Sequence, residues 1–370
     1  MVDSKPDAGP DPDSFQSVFQ VYSVEEDGST LRYLGDPLAS QDEIIEEVWP
    51  LFREHGYEVS LEWENGDFVL IANPVQKHQD GLPWMNIILF GLTILTTLYA
   101  GAGWFYVRDI FSPAIIKALP FTIGVLAVLG THELGHYVMS RYHNVNATLP
   151  YFIPMAPPFG TMGAVIRMKG QIPSRKALFD IGVAGPIAGL IMTVIVTIIG
   201  LKLPPVHIPP WVFQGPSITI EFGYPPLLQF LAWAVNEPLA YPNQKYLVVN
   251  PVVLAGWIGM FVTFLNLIPV GQLDGGHILR AIIGPRQESV APLVPLALFG
   301  LSAYLRFIRN IGNAAGIWIF WGLLTLIFSY VGSATPIQDD AIDTKRIIIG
   351  IVTFIIGALC FTPVPVQIGV

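Results

Sequence analysis

From residue 83 onward the chain is a succession of apolar runs, most of them close to or above the ~20 residues that an α-helix needs to cross a bilayer. They cover residues 83–106, 114–140, 177–201, 249–268, 288–307, 314–333 and 346–363, the last short enough to be tilted or interfacial. A backbone in lipid must satisfy its own polar groups, so runs of this length read as helices. Composition agrees: 52% of the residues are hydrophobic and 13% charged, where soluble domains carry about 25% charged residues. The fold class expected is an α-helical polytopic membrane protein with about six or seven transmembrane helices.

The second run contains His132-Glu133-Leu134-Gly135-His136. Positions i and i+4 share one helix face, so His132 and His136 can reach one metal ion. Glu133 is placed between them as a general base for water at that ion. The single cysteine, Cys360, excludes an intrachain disulfide and makes a cysteine metal site implausible. Any Zn2+ must then be held by histidine and carboxylate.

A hydrolytic zinc site takes three protein ligands and keeps one position for water. Five further histidines are available. His55 and His78 belong to the soluble head or its linker, His207 to an extramembrane loop, and His143 reads as an interfacial residue just past a helix end. Asp274 is the better third ligand. It sits in the run from Asn266 to His277, which breaks at Pro269 and Gly271 and sets one carboxylate beside two glycines. A charge near membrane depth is costly and points to function. The alternatives are that Asp274 is a turn residue of an Asp-Gly pair, or that His277 donates in its place.

The 80 residues before the membrane body carry all of the excess acid behind the net charge of -9. Residues 1–14 read as a disordered acidic tail with no cleavable signal peptide. Residues 15–80 read as a small soluble ββαββ domain. Phe15–Val24 is strand-like, Asp27-Gly28 and Asn65-Gly66 mark turns, and Ser40–Glu43 fits a capping box. Residues 81–370 form the membrane-embedded part. Within it, Leu149–Ser174 is rich in Pro and Gly and then β-like over Ala164–Met168, which suggests a re-entrant loop and β-hairpin beside the site. An amphipathic piece is expected around Leu227–Val235.

Lys and Arg placement gives orientation. The segment between the second and third runs holds Arg141, Arg167, Lys169, Arg175 and Lys176, against Lys202 and Lys245 in the longer loop that follows the third. This puts the head and the opening of the site in the cytoplasm. His136 and His132 then lie roughly 8 and 14 Å from the helix end at Arg141.

Taken with Asn266-x-x-Pro269, Leu273-Asp274-Gly275 and the small-residue run Asp180-Ile181-Gly182-Val183-Ala184-Gly185-Pro186, the His-Glu-x-x-His run resembles the site-2 protease family of intramembrane zinc metalloproteases. The resemblance covers roughly residues 83–284. Gly160–Ala164 and Leu273–Gly276 are most similar to a branch with plastid and prokaryotic members, and the acidic start favours a prokaryote. The loops are too short for the PDZ domain of many bacterial members, and no nucleotide-sensing domain is expected after the last run.

The resemblance implies His132, His136 and Asp274 as zinc ligands and Glu133 as the catalytic acid–base. It implies Asn266 as a donor to substrate or oxyanion, a helix–helix hydrogen bond being the alternative. Asp180 could hold a ligand histidine, though pairing with Arg175 or Lys176 accounts for it better. Gly185 and Gly189, a G-x-x-x-G pair, read as close helix packing that presses the third span onto the metal helix.

The expected substrate is a transmembrane protein in the lipid bilayer of the cell membrane, cleaved within or near its spans. Since a spanning helix hides its peptide bonds, the unwound substrate is expected to add as a strand along Gly163, Ala164, Val165 and Ile166. An acidic head on a membrane body argues against nucleic acid as a partner, and the sequence carries no signal for an oligomeric state. The competing readings are a membrane zinc peptidase of another class, and a non-catalytic scaffold or transporter. Few ionisable residues in the other spans weaken the transporter.

Overall fold

In the computed structural model, which describes residues 9–64, 66–75, 82–214, 219–244 and 246–369, the chain divides into two units. Residues 1–8, Asn65, His78 and Lys245, which entered the arguments on the tail, the second turn, the histidines and orientation, lie outside the described residues.

The first unit is the head, joined by Gly170–Ser174 and Pro336–Asp339. Strands β1 (Phe19–Asp27) and β2 (Thr30–Pro37) form a hairpin whose turn is set by Gly28 at φ +66°. Helix α1 (Gln41–Glu54) follows, its capping box closed by Ser40 and Glu43. Strands β3 (Tyr57–Glu64) and β4 (Asp67–Pro74) complete an antiparallel sheet of order β1-β2-β4-β3. Ile44, Val48 and Phe52, one stripe of α1, are buried against Tyr33, Val59 and Leu70.

The strand expected from Phe15 starts only at Phe19. Asp11 accepts from the backbone N–H of Asp13, and Pro12 opens a 3-10 turn, Pro12–Phe15, that buries the Phe15 ring. The Pro10 carbonyl accepts from the Tyr33 hydroxyl, so part of the expected acidic tail belongs to this packed unit.

The second unit is mostly helical. Helix α2 (Trp84–Trp104) is followed by α3 (Leu119–Tyr142), which continues from a 3-10 turn at Pro113–Ala118. Two short antiparallel ladders come next: β5 (Asn146–Ala147) with a later strand, and β6 (Tyr151–Pro154) with β7 (Thr161–Val165). The partner of β5 is β8 (Met168–Lys169). Helix α4 (Arg175–Lys202), the amphipathic α5 (Pro226–Val235) and α6 (Val252–Asn266) follow. Then come α7 (Asp274–Ile283), α8 (Gln287–Val290), α9 (Leu293–Ala303), α10 (Gly312–Val331) and α11 (Thr344–Leu359).

Among the described residues four helices are long and apolar enough to cross a membrane: Trp84–Trp104, Pro113–Tyr142, Arg175–Lys202 and Gly312–Val331. Asp274–Val290 and Leu293–Ile308 pass together but meet at 63°. The run expected at 249–268 yields a shorter helix, because the chain turns at Leu267 ahead of Pro269 and a positive-φ Gly271. The strand expected over Ala164–Met168 lies earlier, at Thr161–Val165, and Ile166 leaves the ladder.

Helices α3, α4 and α6 form the centre of this unit around Phe121, Val125, Val196, Ala255 and Met260. Small residues let the backbones approach. An added Cβ at Gly135 of α3 would lie 2.6 Å from the Ala184 carbonyl oxygen of α4, well inside contact distance.

Candidate metal centre

One turn of α3 separates His132 from His136, and both are buried, with Glu133 between them 7% exposed. The two rings are admitted into the helix interface by glycines of α4. A Cβ at Gly185 would overlap the His136 imidazole, and one at Gly189 would stand 2.9 Å from His132 Cβ. The two glycines are four residues apart, as are the two histidines, so the two helices match turn for turn.

The hydrogen bonds fix which ring nitrogens carry protons. A carbonyl can only accept, so His136 Nδ1–H donates to Ile181 O at 2.8 Å, leaving a lone pair on Nε2 in the neutral ring. The Asn266 amide, on the last residue of α6, donates Nδ2–H to His132 Nε2 at 3.0 Å, which likewise makes that nitrogen an acceptor. The α6–α7 turn delivers Asp274 as the first residue of α7. Its Oδ2 lies 3.2 Å from both Nε2 atoms, and the two nitrogens are 3.1 Å apart. Although this oxygen falls within ion-pair distance of both rings, it is buried without a partner of hydrogen-bonding geometry.

Three acceptor atoms thus face one another with no proton of their own among them, His132 Nε2 taking an N–H from Asn266. Such a triangle is repulsive unless a cation sits against it. A tetrahedral ion with N and O ligands at about 2.0–2.1 Å has ligand–ligand edges of about 3.3–3.4 Å, close to the edges here. The donor set of two imidazoles and a carboxylate suits Zn2+, and these three residues are the one His/Cys/Asp/Glu group among the described residues close enough to hold an ion. The orphaned oxygen and the triangle's edges both fit zinc.

A cavity of about 220 Å3 opens beside the triangle. One wall is Ala164, Val165, Ile166 and Met168; another is α7 with Asp274 and His277. The Glu133 carboxylate accepts from the backbone N–H of Ile166. Strand β7 pairs with β6 alone among the described residues, which leaves its second edge without a strand.

Other expected residues fall elsewhere. His277 is not a member of the triangle; its Nδ1 meets Ser333 Oγ at 3.0 Å. Asp180 does not touch a ligand histidine. It takes a two-pronged contact from Arg346, at 2.8 and 2.7 Å, and lies 3.0 Å from His143 Nε2. Arg175 instead donates to the Ala281 and Ile282 carbonyls at the end of α7, so neither it nor the interfacial placement of His143 accounts for Asp180 as expected. Arg346 lies 166 residues away and carried no sequence signal for this pairing. The Ile181 carbonyl escaped notice for a similar reason, since any residue could supply it.

Residues 120–299 match the model of Peptidase family M50. The chloroplast protein EGY1 of Arabidopsis thaliana, named a probable zinc metalloprotease, is 32% identical over 228 residues, covering 59% of this chain and 38% of EGY1. EGY2 of the same plant, named likewise, is 28% identical over 292 residues, covering 76% of this chain and 49% of EGY2. The EGY1 protein of Oryza sativa subsp. japonica is 32% identical over 226 residues, covering 58% of this chain and 35% of that protein. The chain therefore spans less than half the length of each of these relatives. No solved structure matches it.

Proposed function

From the match of residues 120–299 to peptidase family M50, we propose that this chain is an intramembrane zinc metalloprotease of that family that hydrolyses peptide bonds within or near the spans of membrane proteins. The observation that carries this reading is the triangle of His132 Nε2, His136 Nε2 and Asp274 Oδ2 with Glu133 beside it. His132, His136 and Asp274 would hold the ion. Bound there, zinc supplies a Lewis acid that polarises the scissile carbonyl and lowers the pKa of water.

The remaining chemistry belongs to the chain. Glu133 takes a proton from the attacking water as its oxygen bonds the carbonyl carbon. It then delivers a proton to the amine as the C–N bond breaks. Asn266 presents an amide donor to the carbonyl oxygen as negative charge develops there. Burial of these groups keeps bulk water from competing.

The substrate adds along the open edge of β7, with Gly163, Ala164, Val165 and Ile166 offering backbone groups to an unwound segment. Proline at Val165 removes one of those N–H groups, and proline at Ile166 removes the N–H that the Glu133 carboxylate accepts from. Each variant is expected to lose at least tenfold in cleavage with zinc content unchanged, read by metal analysis beside a gel-based cleavage assay. Full cleavage by both would end the strand-addition reading.

The body has six or seven spans, counting α6, the α7–α9 pair and α11, with the β6–β7 segment re-entrant. The chain lies in the cell membrane with residues 15–80 as a separate soluble domain. The Lys/Arg bias supports a cytoplasmic side for that domain and for the opening of the site.

Asp274→Ala tests the centre directly. Wild type is expected to hold one zinc per chain, and the variant less than about a tenth of that, since two imidazoles alone leave the ion without its anionic ligand. Equal zinc in the two proteins would exclude Asp274 as a ligand.

A further inference from the structure

His277 is a buried imidazole without a role in the chemistry above. It is 6% exposed and stands one helical turn after Asp274 on α7, so both side chains leave the same helix face. It lines the 220 Å3 cavity together with Ala164, Val165 and Ile166. Its one hydrogen bond among the described residues runs through Nδ1, to Ser333 Oγ at 3.0 Å. Nε2 has no hydrogen-bond partner among the described residues. A buried imidazole nitrogen normally finds a partner. One that opens on a reaction cavity has room for a partner carried by the substrate.

The surroundings hold the ring in place. Gly182 of α4 packs against it, an added Cβ there falling 3.3 Å from His277 Cβ. Ser333 is itself anchored. It follows Gly332, the left-handed residue at φ +80° that ends α10, and the Gly332 carbonyl accepts from Gln272 Nε2 at 2.7 Å. The turn that delivers Asp274 and the ring of His277 are thus tied to one short segment after α10. Ser333 has no other hydrogen-bond partner among the described residues, so its hydroxyl can donate to Nδ1 as well as accept from it. When it donates, the ring proton sits on Nε2 and the cavity gains a neutral N–H donor.

We infer that His277 is a substrate-contacting residue whose Nε2–H donates to a backbone carbonyl of the extended peptide lying between β7 and α7, with Ser333 as the positioning residue that sets its tautomer. A peptide strand paired on one side with β7 directs its other backbone groups toward α7, where this donor waits. The ligand class is an unfolded peptide segment, and the inference rests on the protease reading above.

The test uses the full-length chain in detergent on a Glu133→Gln background, so that a bound peptide is not consumed. Fluorescein-labelled casein serves as the probe, with binding read by anisotropy and zinc by metal analysis. His277→Ala is expected to raise Kd by about tenfold with zinc unchanged, in line with one hydrogen bond lost to a buried partner. His277→Gln, which keeps an N–H, recovers part of the affinity. Ser333→Ala raises Kd by about threefold with the ring still in place, because the tautomer is no longer held.

Unaltered binding in His277→Ala overturns the inference. So does loss of zinc in that variant, which would make the ring part of the metal centre. Loss of folding in His277→Ala, seen as a lowered Tm, passes the decision to Ser333→Ala and His277→Gln, and unaltered binding in both overturns it. Absence of zinc or of casein binding in the Glu133→Gln parent strikes the protease reading itself rather than the role of His277.

Discussion

Glu133→Gln is expected to retain one zinc per chain and to lose at least about 10³-fold in cleavage, near the upper range for removal of a general base. The substitution keeps the size of the side chain and its ability to accept from the Ile166 N–H. It removes only the capacity to take and return a proton. Glu133 is outside the donor triangle, so its loss does not subtract a ligand. Its position on α3, one residue from His132, makes the distinction measurable, since a ligand variant and a base variant separate on zinc content alone. Comparative membrane proteomics of cells holding wild type or Glu133→Gln should show a single-span protein accumulating with the variant. A purified variant that cut a membrane substrate at near wild-type rate would remove Glu133 from the chemistry.

Gly185→Val is expected to abolish zinc binding and cleavage together. Any Cβ at this position overlaps the His136 ring, and the β-branched valine adds two methyl groups with little rotamer freedom in a helix. The ring cannot simply yield. Its Nδ1 is bonded to Ile181 O on the same face of α4, so displacement breaks that bond and moves Nε2 out of the triangle. Separation of α3 from α4 is the other relief, and it would expose the core around Val125 and Val196. The control is Gly316→Val on α10, where an added Cβ meets nothing within 4 Å. That variant should keep zinc and activity, with helix stability unchanged or raised by roughly 0–0.5 kcal/mol. Normal zinc in Gly185→Val, measured on protein that still elutes as a folded species, would show that α4 does not confine His136.

The membrane body illustrates how unevenly chemistry is written along a chain. His132 and His136 come together through a four-residue spacing on one helix, a local rule that any helix obeys. Asp274 was harder, since it comes 138 positions after His136 in the sequence. It stood out because a carboxylate beside two glycines is costly near membrane depth and a third donor was missing. Asn266 stood out through the resemblance, and its amide, at the end of α6, makes a hydrogen bond between helices to His132 of α3 beside the site. Asp180 went astray. Its neighbours in sequence, Arg175 and Lys176, offered an obvious pairing, while its partners Arg346 and His143 come from α11 and the end of α3. The start of β1 was misplaced for a local reason, the Asp11 cap and Pro12 together favouring a 3-10 turn where apolar alternation suggested a strand.

Periodicity and length determined by themselves that this chain builds long apolar helices, that two imidazoles share a face, and that a small sheet with one capped helix precedes them. These follow from backbone geometry and from the cost of polar groups in lipid, both of which act within a few residues. Only the tertiary structure decided which lone pairs converge, since the 3.1–3.2 Å triangle needs the start of α7 brought against α3. It alone assigned the ring protons, through the Ile181 carbonyl and the Asn266 amide, and it alone showed that Gly185 and Gly189 admit histidine rings as well as packing backbones. Contacts between distant segments depend on how whole helices pack, and helix packing is set by the sum of many side chains rather than by any short pattern.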